Sequence, residues 1–101
     1  MRPVVWSRTA LDNTLEILRY VAADDPHAAE RLIEAIEAAG NRLGTVATGR
    51  PGRVVGTYEK SVARLPYVIA YAVDAVEGEE RIVILRVIHT ARHWPSGGWP
   101  Q

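Results

Sequence analysis

Residues 81–95 read RIVILRVIHTARHWP, an apolar run that breaks off into a cluster of histidine, arginine and tryptophan. Ile82, Val83, Ile84, Leu85, Val87 and Ile88 are mostly β-branched and too few to cross a bilayer, so they predict a strand buried on both faces, interrupted by Arg86. Polar groups at the mouth of a rigid strand are where a binding or catalytic site is expected. Arg86, His89, Arg92, His93 and Trp94 are therefore the first candidates.

Upstream, residues 74–80 (DAVEGEE) form an acidic turn in which Gly78 can take a positive φ. Residues 67–73 (YVIAYAV) alternate as a strand does, with Tyr67, Ile69, Tyr71 and Val73 on one face and Val68, Ala70 and Ala72 on the other. Val54 and Val55 lead into GTYE, a third strand in which Gly56 marks a bulge or a close backbone approach. The turn-rich loop TVATGRPG, residues 45–52, separates these strands from a helical half.

In that half, Leu11, Leu15, Leu18 and Ala22 fall at spacings of four, three and four, and Ile17 and Val21 widen the stripe. This predicts an amphipathic helix over residues 7–23, capped by Ser7, with the leucine stripe toward the core. Asp25 caps a second helix and Pro26 suits its first position; Ala29, Leu32, Ile33, Ile36 and Leu43 supply its buried stripe, and Gly44 ends it. Val4, Val5 and Trp6 precede both helices as a short strand. The expectation is an α+β domain of order β-α-α-β-β-β, with the N-terminal strand and helical hairpin packed on one face of a small antiparallel sheet. The partly open opposite face is where function is expected.

At 101 residues the chain suits one domain spanning residues 1–101, with 96–101 as a mobile tail. No apolar run approaches the ~20 residues of a membrane span. With no signal-peptide pattern and no cysteine, a cytoplasmic protein without disulfide or thiol chemistry is expected. The formal charge is zero, which argues against an indiscriminate nucleic-acid binder. Residues 1–49 hold five arginines against seven acids, whereas residues 50–101 hold seven cations against five acids, so the sheet half is locally basic. GRPG, residues 49–52, lacks the lysine and the strand–helix setting of a phosphate loop. His89 and His93 lack a third ligand nearby, so no metal or other cofactor is expected.

The element order, with the strings GRVVGTYE, LPYVIAYAV and above all ILRVIHTARHWP, resembles the RelE/ParE superfamily of toxins from type II toxin–antitoxin pairs, in its ParE-like branch. The resemblance covers nearly the whole chain, and its most specific part is the last strand running into His89, Arg92, Trp94 and Pro95. It implies a small toxin neutralised by a ParD-like antitoxin, which has a DNA-binding head and a tail that wraps the toxin in a hetero-oligomer. Two activities live on this fold. ParE-type members poison DNA gyrase without known catalytic chemistry, whereas RelE-type members cleave messenger RNA on the ribosome. A third possibility is a non-toxic member that only binds antitoxin.

A ribonuclease must take a proton from the 2′-hydroxyl, donate one to the leaving oxygen and neutralise charge on the phosphate. Val68 falls where RelE-type nucleases carry a strand arginine, and a valine cannot stabilise a phosphorane. The remaining candidates for catalysis are His89, Arg92, Lys60 and Arg64, without a neighbouring carboxylate to tune a histidine. Target binding falls to Arg86, His89, Arg92, His93, Trp94 and Trp99, large aromatics and arginines being favoured interface anchors. His89 can alternatively be a structural histidine, bonded to backbone or to Glu59. Tyr67 and Tyr71 alternate as core residues do.

Overall fold

The computed structural model describes residues 1–91. Its elements are β1 (Val4–Trp6), α1 (Arg8–Ala22), α2 (Pro26–Arg42), β2 (Arg50–Pro51), β3 (Tyr58–Ser61), β4 (Tyr67–Val76) and β5 (Glu79–His89). The strands form one sheet in the order β1-β5-β4-β3-β2. The α+β class and the helical hairpin ahead of a meander agree with the sequence. The sheet is mixed rather than wholly antiparallel, because β1 runs parallel to β5, with Val4 opposite Ile82 and Trp6 opposite Ile84. Parallel neighbours need a long crossover, and here nearly the whole chain between them provides it.

The longest strand, β5, pairs with β1 on one side and with the middle strand β4 on the other. On the face toward the helices, Tyr67, Ile69 and Tyr71 of β4 and Ile82, Ile84 and Val87 of β5 pack with Ala10 of α1 and with Ile36 and Leu43 of α2. Each fully buried aliphatic side chain contributes ~1.5–3 kcal/mol. The β4–β5 hairpin closes through Glu77 (φ 53°) and Gly78 (φ 83°), the two-residue turn whose backbone twist matches the strands it joins. Trp6 lies against Gly40 of α2, where an added Cβ would come within 2.5 Å of the indole Cζ2, so only glycine allows that approach.

The pairing slips once. Ala70 faces Arg86 but Tyr71 faces Ile84, so Leu85 is an extra residue on β5. The bulge falls just where β1 has ended and β5 would show an unpaired edge. Two polar side chains near the start of α1 take over that edge. The Ser7 amide donates to the Ile84 carbonyl (2.9 Å), the Ser7 hydroxyl donates to the Leu85 carbonyl (3.0 Å), and the Val87 amide donates to Asn13 Oδ1 (3.0 Å). Ser7 Oγ also accepts from the Ala10 amide, so one hydroxyl caps α1 and fastens it to the bulge.

Two expectations are corrected. The leucine stripe of α1 is not its core-facing side: Ala10 and Ile17 meet the core, while Leu11 and Leu15 remain 47% and 46% exposed. Polar Asn13 and Thr14 sit near the inward side, which hid it from an apolar count. Secondly, residues 54–57 form a turn rather than the start of a strand. Thr57 closes it through bonds to the Val54 carbonyl, and Gly56 takes φ 87° with open space about it, so its role there is conformational. Among the described residues, no helix is long and apolar enough to cross a membrane.

Removing the Asn13 acceptor leaves a buried Val87 amide without its partner, which costs ~1–3 kcal/mol. Asn13→Ala is therefore expected to lower the urea midpoint with an unchanged slope and to speed exchange of the Val87 amide. Wild-type exchange at that amide would contradict the assignment.

Candidate functional site

His89 is the last residue of β5 and stands opposite Tyr67 on the helix-side face. Its ring meets Tyr67 edge-on, with centroids 5.1 Å apart and planes at 87°. Nδ1 accepts from the Ala91 amide (3.1 Å), so in the neutral ring the proton lies on Nε2. Of the two structural partners considered for His89, backbone is the one present. Glu59 is not a partner, because strand alternation puts it beside Ala70 on the opposite face.

His89, Tyr67 and Val87 line a cavity of about 520 Å³, completed by Asn13, Glu16, Ile17 and Tyr20 of α1 and by Ala91. Glu16 brings a carboxylate to the same cavity as His89. That juxtaposition escaped the sequence reading because it joins residues on two elements far apart in the chain; the four-residue step from Asp12 to Glu16 showed only a wet helix face.

The other candidates are dispersed. Arg86 is half-buried on the face away from the helices, opposite Ala70, and so turns away from His89. Lys60 sits on β3 opposite Ile69 and lines a different cavity, of about 380 Å³, with Arg42, Leu43, Val46 and Thr48 among its neighbours. Arg64 is exposed in the β3–β4 turn with φ 65°. Val68 is 3% exposed, paired with Ser61 and Ile88 on the outer face. Arg92, His93, Trp94 and Trp99 lie outside the described residues, as does the expected tail at 96–101. Among the described residues, no group of three His, Cys, Asp or Glu is placed to hold a metal.

On the outer face the strongest electrostatic feature is Glu59, a carboxylate only 3% exposed. It accepts from the Arg53 amide (3.0 Å), Nε (2.9 Å) and a terminal guanidinium nitrogen (3.3 Å), and from Arg50 at 3.4 Å. Burial alone would push its carboxyl up, but the hydrogen bonds and charge of Arg53, with Arg50 added, outweigh that and hold it below the ordinary carboxylate value. Arg50 also reaches Ser61 Oγ at 3.5 Å. Glu59 thus ties the short β2 and the turn after it to the sheet and orients two arginines along its edge. At the far end of the hairpin, hydrogen bonds from Arg81 and the Ala75 amide hold exposed Asp74 below its ordinary value.

An α+β domain with two helices on a mixed five-stranded sheet is the architecture of a small toxin of the RelE/ParE type. The family model described as "ParE toxin of type II toxin-antitoxin system, parDE" matches residues 4–94, and the chain belongs to that family. It is 37% identical over 92 residues to "Putative toxin Y4kP" of Sinorhizobium fredii (strain NBRC 101917 / NGR234), covering 90% of this chain and 91% of that protein. Among solved structures it is similar to a chain of the chromosomal ParDE toxin–antitoxin system of P. aeruginosa, with a TM-score of 0.75 and 28% identity over 88% of this chain and 96% of that one. A YoeB/ParE toxin from Agrobacterium tumefaciens shares the fold, with a TM-score of 0.56 and 15% identity over 86% of this chain and 97% of the other.

The depressed Glu59 carboxyl has a pH signature. Its stabilisation is complete above the unfolded carboxylate value, ~4.3, and is lost as the pH falls through the lower folded value. Denaturation midpoints followed downward from neutral pH are expected to fall more steeply for wild type than for Glu59→Gln below about pH 4. Parallel curves would remove Glu59 from the account.

Proposed function

We propose that the chain inhibits DNA gyrase by binding it through the exit of β5, and that a ParD-like antitoxin holds it inactive. Membership of the ParE toxin family supports a toxin acting without chemistry of its own. The similarity to a chain from a ParDE system supports an antitoxin of the ParD kind. The observation that carries the reading is the placement of the candidate groups. His89, Lys60 and Arg64 occupy a cavity, a second cavity and a turn, and the outer-face position a nuclease fills with a cation is the buried Val68. General acid–base chemistry on a phosphodiester needs such groups within hydrogen-bond reach of one reacting centre.

One observation favours the second reading, a ribosome-dependent endoribonuclease: Glu16 and His89 share a cavity, the pairing of carboxylate and imidazole that proton transfer uses. Induction without antitoxin separates the two. Gyrase inhibition predicts DNA breaks and lost supercoiling activity with messenger RNA intact, whereas cuts mapped within ribosome-bound codons contradict it. Cells that tolerate unpaired expression fully would point to a member that binds antitoxin alone. On the gyrase reading, Arg92→Ala, or truncation before Trp94, is expected to weaken toxicity at least about tenfold with the far-UV spectrum unchanged, since interface anchors of this type are worth ~2 kcal/mol or more.

A further inference from the structure

Leu11, Leu15, Leu18 and Ala22 repeat along α1 at the spacing of the apolar seam of a two-stranded coil. The core uses a different side of the helix and leaves Leu11 and Leu15 about half exposed. Asp12 and Arg19 each follow a leucine of the seam by one residue, and both are exposed. Asp12 meets Arg8 at 3.7 Å one turn back, a contact that leaves the Asp12 side chain 58% and the Arg8 side chain 90% exposed. Glu16 is turned toward the His89 cavity and leaves the seam clear.

We propose that α1 of one chain packs antiparallel on α1 of a second copy, about a two-fold axis passing between Leu15 and Glu16. The order of charges selects this pairing. About that axis Asp12 of each copy faces Arg19 of the other, giving two opposite-charge contacts that flank the leucines, as flanking positions do in antiparallel coils. A parallel pairing would put the two copies of Asp12, and of Arg19, on opposite flanks, across from the uncharged Ser7 and Thr14 positions, and would make neither charge contact. A patch that complements itself under a two-fold rotation is what an isologous interface requires. Association would cover the half-exposed leucines that folding leaves in water.

Sedimentation velocity of the purified full-length chain over a concentration series tests this. Wild type is expected to pass from monomer to dimer as concentration rises. Asp12→Arg and Arg19→Asp should each raise the dissociation constant about tenfold or more, each turning two attractions into two repulsions. The double exchange should restore it to near wild type. Leu15→Glu should abolish the dimer with an unchanged far-UV spectrum. A wild-type chain that stays monomeric throughout, or a double exchange no better than either single one, overturns the proposal. A monomeric wild type whose binding to an antitoxin helix is lost with Leu15→Glu overturns it too, and assigns the seam to the antitoxin.

Discussion

β5 is eleven residues long and β1 only three, so the longer strand outruns its parallel neighbour and must satisfy its edge by other means. A buried peptide group without a partner costs as much as a lost hydrogen bond or more. Ser7 and Asn13 meet that cost from α1, and Leu85 bulges where the substitution begins. This constraint couples the elements. It sets where α1 lies along the sheet, and so which of its residues, Glu16, Ile17 and Tyr20, wall the cavity in which β5 ends.

The same geometry divides the molecule electrostatically. On the helix side, β5 ends in an imidazole whose Nδ1 is occupied by backbone, above a cavity of mixed polar and apolar lining with one carboxylate in its wall. On the outer side, Glu59 gathers Arg53 and Arg50 at the far edge of the sheet, and Arg86 stands two strands away on β5, across Ala70. Strand alternation therefore separates His89 from Arg86, three residues earlier on the same strand, and a single surface using both must wrap the end of the strand. Such a surface suits a macromolecular partner better than a small substrate.

Much of this was legible in the residues. Continuous β-branched content marked β5, period-two alternation placed Tyr67, Ile69 and Tyr71 in the core, and Ser7, Asp25 and Pro26 bounded the helices. Three things were not. The parallel pairing of β1 depends on contacts between residues almost eighty positions apart, for which a three-residue strand carries no local signal. The inward side of α1 carries no unbroken apolar stripe, because Asn13, a polar residue, is there to serve the β5 edge, while Leu11 and Leu15 follow helical spacing without reaching the core. The meeting of Glu16 with His89 arises only when α1 is laid across the end of the sheet.

Family membership and fold fix the chain as a ParE-type toxin, and the central claim is that the end of β5 is a surface for holding a protein target. Hydrogen exchange of the purified chain, alone and with purified gyrase, tests that claim most directly. The account predicts slowed exchange at residues 86–91 and at Tyr67 in the presence of gyrase, and none on addition of ribosomes. Unchanged exchange with gyrase, together with protection of the same amides by ribosomes, would contradict it.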